Sequence, residues 1–238
     1  MTKKETKEFI AKYFDSFALE NGFKPYSKKL DDIACLYIKE YDLGRDVITF
    51  GMYNYAISHQ IFYHYGKFFN SIEQVVKQVN DKIKLTPPYS KELYYTTLSF
   101  GYESLNGVNK SAYLPFVENE EQVKNCIDEI IAFSKTQAFP LLDKMNDLHF
   151  LNKEINGTDF WESSWQKKYA LSNFDIKRLI IAKLAGSPNF DEIVDKNYKA
   201  IEKASAENGY PFIYDRNDLN KPIPHVLEIL KNHSQSLT

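Results

Sequence analysis

Ile33-Ala34-Cys35-Leu36-Tyr37-Ile38, Asp42-Leu43-Gly44-Arg45, Val47-Ile48-Thr49-Phe50-Gly51-Met52-Tyr53-Asn54-Tyr55 and Gln60-Ile61-Phe62-Tyr63-His64-Tyr65 together decide the fold class. The first run alternates with period two, the second is turn chemistry, and the last two are β-branched and aromatic, so the stretch predicts an antiparallel meander. A hairpin at Leu43-Gly44 sets Leu36 opposite Gly51 and Ile38 opposite Thr49. Ala34, Leu36 and Ile38 then share a face with Thr49, Tyr53 and Tyr55, while Ile33, Cys35, Tyr37, Ile48, Phe50 and Met52 take the other. With the next turn near Ser58, Tyr53 faces Tyr63 and Gly51 faces Tyr65, an aromatic ring across a glycine. Both faces are apolar, so this sheet needs a layer on each side.

Outward from the meander, Phe9, Ile10, Tyr13, Phe14 and Phe17 recur at helical spacing, and Asn21-Gly22 supplies the stop. After the meander, Ile72, Val75, Val76 and Val79 form the apolar side of a helix opened by Ser71 and ended by Thr86-Pro87-Pro88. Leu93 to Phe100 alternates as a fourth strand, and Ala112 to Val117, interrupted by Pro115, is a fifth at the edge. Val123, Cys126, Ile127, Ile130 and Ile131 fit the i, i+3, i+4, i+7, i+8 rule behind an acidic first turn, predicting a helix that packs on the sheet. Pro140 restarts or kinks it. From Asn156-Gly157 onward the pattern is helical: Trp161, Trp165 and Tyr169, then Phe174 to Leu184, then Phe190 to Ile201, a loop over Pro211 to Pro224, and a last helix over His225 to Asn232. The fold class is α+β: a four- or five-stranded, mainly antiparallel sheet flanked by helices, with an all-helical C-terminal half. The expected division is residues 1–155 for the sheet domain and 156–238 for the helical half packed on it, or both as one domain.

A chain of 238 residues buries an ample core without staples. Its net charge of -2 offers no global field for phosphate backbones or anionic lipid, so no nucleic-acid or membrane partner is expected. Cys35 and Cys126 read as buried small hydrophobes in a reducing compartment, with no disulfide. No apolar leader or membrane-length run occurs, which points to the cytoplasm.

No stretch carries a recognisable set of catalytic or cofactor residues. His59 and His64 are five apart on a strand, hence on opposite faces, and no metal is expected. Asp147 and His149 stand two apart on a helix, pointing nearly oppositely. Phosphate-binding glycine motifs, a Gly-x-Ser-x-Gly elbow and a His-Glu-x-x-His pair are all absent, so no cofactor and no catalytic residue is assigned. Trp161, Trp165 and Tyr169 form a ridge that suits core packing or ligand stacking. Tyr53, Tyr55, Tyr63 and Tyr65, placed on one face by the register above, are the candidate partner-binding set. Tyrosine offers a rigid area and a hydroxyl to a protein partner, and it serves equally at a boundary with covering helices.

The N-terminal helix, the Glu20-Asn21-Gly22-Phe23-Lys24 hinge, the meander, and the Val123 to Ile131 helix running into Phe139-Pro140-Leu141-Leu142 give residues 5–150 an outline that resembles small bacterial α+β domains of unknown function. The outline is similar to that of some immunity proteins that neutralise toxins of neighbouring bacteria. It implies a non-enzymatic protein-binding module and carries over no functional residue. The alternative is a small-molecule-binding protein or enzyme with a pocket between the sheet and the C-terminal helices.

Overall fold

The computed structural model describes residues 1–26, 33–55, 58–83, 85, 92, 95–106, 116–157, 173–207 and 221–233. The chain is α+β. Helix α1 (Lys3–Glu20) opens on a capping box, in which the Thr2 side chain and Glu5 each serve the other's backbone N–H. It closes on a Schellman turn: Gly22, at φ +82°, donates to the Leu19 carbonyl and Phe23 to that of Ala18. An antiparallel sheet follows, with β1 (Lys24–Pro25), β2 (Ile33–Tyr41), β3 (Gly44–Asn54) and β4 (His59–Phe69) in sequence order. β5 (Leu98–Phe100) and β6 (Phe116–Val117) both pair with β4, at its two ends.

The chain forms two compact units, and they interleave in sequence. One comprises Met1–Phe69, Glu92–Asp143 and Lys167–Ala170; the other comprises Asn70–Lys91, Lys144–Gln166 and Leu171–Thr238. This differs from a division at 155/156: helix α2 (Asn70–Lys82) belongs with the C-terminal helices although it directly follows β4. An amphipathic stripe shows that a helix needs a partner surface and is silent on which surface that is.

In the sheet unit, one face carries Tyr37, Ile48, Phe50, Ile61, Tyr63 and Tyr65, all buried. Phe14 of α1 sits edge-on to Tyr37 at 5.1 Å and to Phe50 at 4.9 Å. Helix α4 (Glu120–Phe133) buries Val123, Cys126, Ile127, Ile130 and Phe133, and Phe133 meets Tyr63 and Tyr65. The expected stripe is present except that Ile131 is only half-buried, one position round the helix from Ile130.

Beyond α4 the helical path continues as a π-turn over Ser134–Ala138 and then as α5 (Phe139–Lys144). Phe139 N–H reaches back five residues to the Ser134 carbonyl, and the widened turn stands where the Pro140 ring would otherwise press on the backbone four residues before it. Pro140 thus follows a wider turn without ending the helical run. Its neighbour Phe139 stacks on Phe17 at 5.6 Å and on Phe23 at 5.3 Å.

The β2–β3 register is Leu36 opposite Thr49 and Ile38 opposite Val47, two positions from the expected one, so the face assignments survive. A bulge between Ile33 and Cys35 moves Ile33 to the second face, where it packs with Tyr26 on Leu36, Ile38 and Val47. The β3–β4 register differs by an odd number: Tyr53 lies opposite Gln60, Gly51 opposite Phe62, and Phe50 opposite Tyr63. An odd shift exchanges the faces of one strand relative to the other.

The helical unit holds α2, α6 (Leu148–Asn156), α7 (Phe174–Leu184), α8 (Phe190–Glu207) and α9 (Pro222–His233). Helix α7 is buried continuously from Ile176 to Ala182, which makes it the central helix of this unit. Lys177 within it meets Glu73 of α2 at 2.8 Å with both side chains buried, and Arg178 Nε donates to Asn156 Oδ1 at 2.9 Å. Helix α9 starts three residues earlier than expected, because Pro222 and Pro224 both fall in its first turn, where a missing N–H removes no helical bond. The Trp161, Trp165 and Tyr169 helix, the segment 27–32 before β2, the Thr86-Pro87-Pro88 turn and most of the loop before α9 lie outside the described residues.

Candidate functional site

The four candidate tyrosines separate into two pairs. Tyr63 and Tyr65 are core residues, 9% and 0% exposed, with the Tyr65 hydroxyl bonded to Ser134 Oγ and Phe100 stacked on its ring at 5.8 Å. Burial raises the Tyr65 phenol above its ordinary range. The expectation that these rings join Tyr53 and Tyr55 on one face is corrected by the odd register: they point the other way, into α4 and α5. Tyr53 and Tyr55 stand at the open end of the second face, 45% and 50% exposed.

Two residues that the sequence reading passed over complete this patch. Phe62 lies across Gly51, where an added Cβ would come 2.0 Å from its Cζ, and it contacts the Tyr53 ring at 4.8 Å. Phe116 of β6, opposite Gln60 and 53% exposed, meets the Tyr55 ring at 5.2 Å. His64 continues the series 5.8 Å beyond Phe62, and the Tyr55 hydroxyl donates to Gln60 Oε1 at 3.2 Å. The result is a row of rings, Phe116, Tyr55, Tyr53, Phe62 and His64, on one sheet face, interspersed with Thr49 and Gln60 and without a carboxylate, ammonium or guanidinium among its members. The sequence signal that could have found Phe62 is Gly51, since a glycine inside a strand marks a close approach; the register decided which ring approaches.

A buried polar cluster elsewhere in the sheet unit is satisfied within itself. Asp46 and Lys67, opposite one another on β3 and β4, form a buried ion pair at 2.6 Å, and the Tyr41 hydroxyl donates to the same carboxylate oxygen at 3.0 Å. Burial pushes the Asp46 carboxyl up and the Lys67 ammonium down, and each is opposed by the partner's charge. A cavity of about 80 Å³ beside them is lined by Asn21, Phe23, Lys39, Asp46, Phe139, Leu142 and Asp143. Larger depressions of about 260 and 120 Å³ flank β1 and β2.

Burial raises the Cys35 thiol to about 11 and the Cys126 thiol to about 12, which keeps both protonated and poorly nucleophilic. His59 and His64 take opposite faces, as their spacing implies, and His59 Nε2 lies 3.1 Å from the Met1 carbonyl oxygen. Asp147 caps α6 by accepting the His149 backbone N–H at 2.8 Å. Among the described residues no cluster of three or more His, Cys, Asp or Glu is placed to hold a metal ion, and no helix is long and apolar enough to cross a membrane. No protein-family model, curated protein or solved structure matches the chain.

Proposed function

We propose that this chain is a non-enzymatic protein-binding module, immunity-like in acting by covering a partner, and that the aromatic row on the second sheet face is its contact. One observation carries the reading: Tyr53, Tyr55 and Phe116 are each about half exposed and lie together. Leu19 and Leu43, the other exposed large hydrophobics among the described residues, stand singly at a helix end and a turn. Single exposed apolar residues are ordinary, whereas a contiguous aromatic patch marks an interaction surface. Tyrosine is among the residues on which binding energy concentrates, and phenylalanine is enriched with it at interface centres.

The test is capture from native lysate by the wild-type chain and by a Tyr53→Ala/Tyr55→Ala variant whose circular dichroism and melting match wild type. A stoichiometric protein held by the first and lost by the second is the expected result. Equal capture by both, or none by either, refutes the assignment.

A further inference from the structure

We infer that the small cavity on the first sheet face is a binding site for a free α-amino acid of the size of glycine or alanine, held by its ammonium and its carboxylate together. The inference goes beyond the protein-binding reading, since this site and the aromatic row lie on opposite faces of the sheet.

Three cross-strand neighbours build its floor. Lys39 lies opposite Asp46 and Asp46 opposite Lys67, so three adjacent strands carry a row of alternating charge across a face that is otherwise aromatic and aliphatic. The Asp46–Lys67 pair is complete through one carboxylate oxygen, since Oδ1 takes both the Lys67 ammonium and the Tyr41 hydroxyl. Asp46 is 4% exposed, and its Oδ2, bonded to no described residue, opens on the cavity that Asp46 lines. A carboxylate oxygen held there is a strong acceptor for a charged donor.

The walls come from two helix ends. Asn21 and Phe23 follow the close of α1, and Phe139, Leu142 and Asp143 stand on α5 directly beyond the π-turn, a widening that recurs at functional sites. Asn21 gives its Nδ2 to the Phe17 carbonyl, which leaves its carboxamide oxygen as a second acceptor. Lys39 is held against this wall: its Cε lies 3.5 Å from the place a Cβ would take on Gly22, and its ammonium stands 5.8 Å from the centre of the Phe23 ring.

Charge then selects the ligand. Lys39 and Asp143 line the cavity with unlike charges, and neither has a hydrogen bond or ion pair to a described residue. With Asp46 and Lys67 cancelling, the site has no net charge. A lone cation would leave Lys39 unanswered, and a lone anion would meet Asp46 and Asp143. A zwitterion answers both, its ammonium donating to Asp46, Asn21 and Asp143 and its carboxylate accepting from Lys39. The volume, about 80 Å³ against the roughly 30 Å³ share of one liquid water, sets the size, and Phe23, Phe139 and Leu142 leave apolar wall for a hydrogen or methyl side chain.

The experiment is an NMR titration of the ¹⁵N-labelled full chain with glycine and with alanine, and separately with methylammonium, acetate and leucine. The expected result is a saturable shift with glycine or alanine in the amides of 21–23, 39–46 and 139–143, with the other three binding at least about tenfold more weakly. Affinity should fall about tenfold or more in Lys39→Met and in Asp143→Asn, the latter an exposed position whose change leaves the remaining resonances in place. Tyr53→Ala/Tyr55→Ala should bind glycine as wild type does. No saturable shift with either amino acid, which would leave the cavity to water, overturns the inference. Saturation by methylammonium, acetate or leucine as tight as by glycine, an affinity unchanged in Asp143→Asn, or a loss of glycine binding in the folded tyrosine variant overturns it equally.

Discussion

Replacing Lys67 by Met tests whether the buried ion pair of the sheet organises the unit or merely tolerates its charges. The ammonium has no exposure, lies 2.6 Å from Asp46, and stands 4.9 Å above the Tyr41 ring and 5.7 Å from that of Phe69. Lys67→Met leaves the Asp46 carboxylate buried with the Tyr41 hydroxyl as its remaining close donor, and the loss should be about 3–5 kcal/mol. Asp46→Asn keeps a group for Tyr41 and strands the ammonium, with a loss of similar order. The double variant removes both charges and should recover to within about 2 kcal/mol of wild type, which implies a coupling of about 3 kcal/mol or more.

Urea midpoints at neutral pH measure the cycle, and pH supplies an independent sign. Asp46 is raised above 3.8, so its contribution is fullest below that pH and is lost as pH climbs through the folded value. Lys67 is lowered from 10.5, so its contribution is fullest above that pH and is lost as pH falls through the folded value. Single variants within about 1 kcal/mol of wild type, or a double variant as unstable as the sum of the singles, would refute the reasoning.

Gly51→Ala should drive Phe62 off the strand and break its contact with Tyr53, at about 1 kcal/mol. A ring-to-ring Overhauser contact between Phe62 and Tyr53 that persists in the variant would count against this. Ile127→Ala, a truncation at a fully buried position, should lower stability by about 2–5 kcal/mol, whereas Lys124→Ala, which removes only an exposed pair with Asp128, should stay within about 0.5 kcal/mol. Equal shifts in denaturation midpoint at the two positions would show the helix face is misassigned. Glu73→Gln should strand the buried Lys177 ammonium and lower the stability of the helical unit by about 3 kcal/mol or more, read by hydrogen exchange in α2 and α7. Unchanged protection in both helices would refute it. Melting temperature should be the same with chelator, with reductant and with neither; a drop with either would reveal a metal or a disulfide.

The strands and α4 were legible because their periods are local: alternation from Ile33 onward and the Val123 to Ile130 stripe each need only neighbouring residues to be read. The β3–β4 register was not, because alternation fixes which residues share a face within one strand and leaves open which residue lies across. Asn54 pairs with His59, and the Tyr55 N–H bonds the Ser58 carbonyl at 3.0 Å, so the strands pair about a point before Ser58, and the odd displacement sent Tyr63 and Tyr65 inward and brought Phe62 beside Tyr53. Half of the tyrosine set was thus legible as surface and half was core. Buried Lys67 and Lys177 were invisible for a related reason: their partners Asp46 and Glu73 are remote in sequence, and a charge reads as solvated until its counter-charge is located.

The interleaving of the two units has a consequence for synthesis. As the chain leaves the ribosome, β1 to β4 emerge as a sheet whose aromatic face awaits Val123 to Phe133, and the intervening Asn70–Lys91 segment belongs to the other unit. At about 5–20 residues per second, the roughly sixty residues between the end of β4 and the end of α4 keep that face without its α4 cover for some 3–13 seconds. Helix α2, released early, waits longer, since α7 and its Lys177 come about a hundred residues later. A chain cut short at residue 155 would strand α2 permanently with Glu73 lacking its ammonium, so shortened forms are expected to require chaperones or to aggregate where the full chain does not.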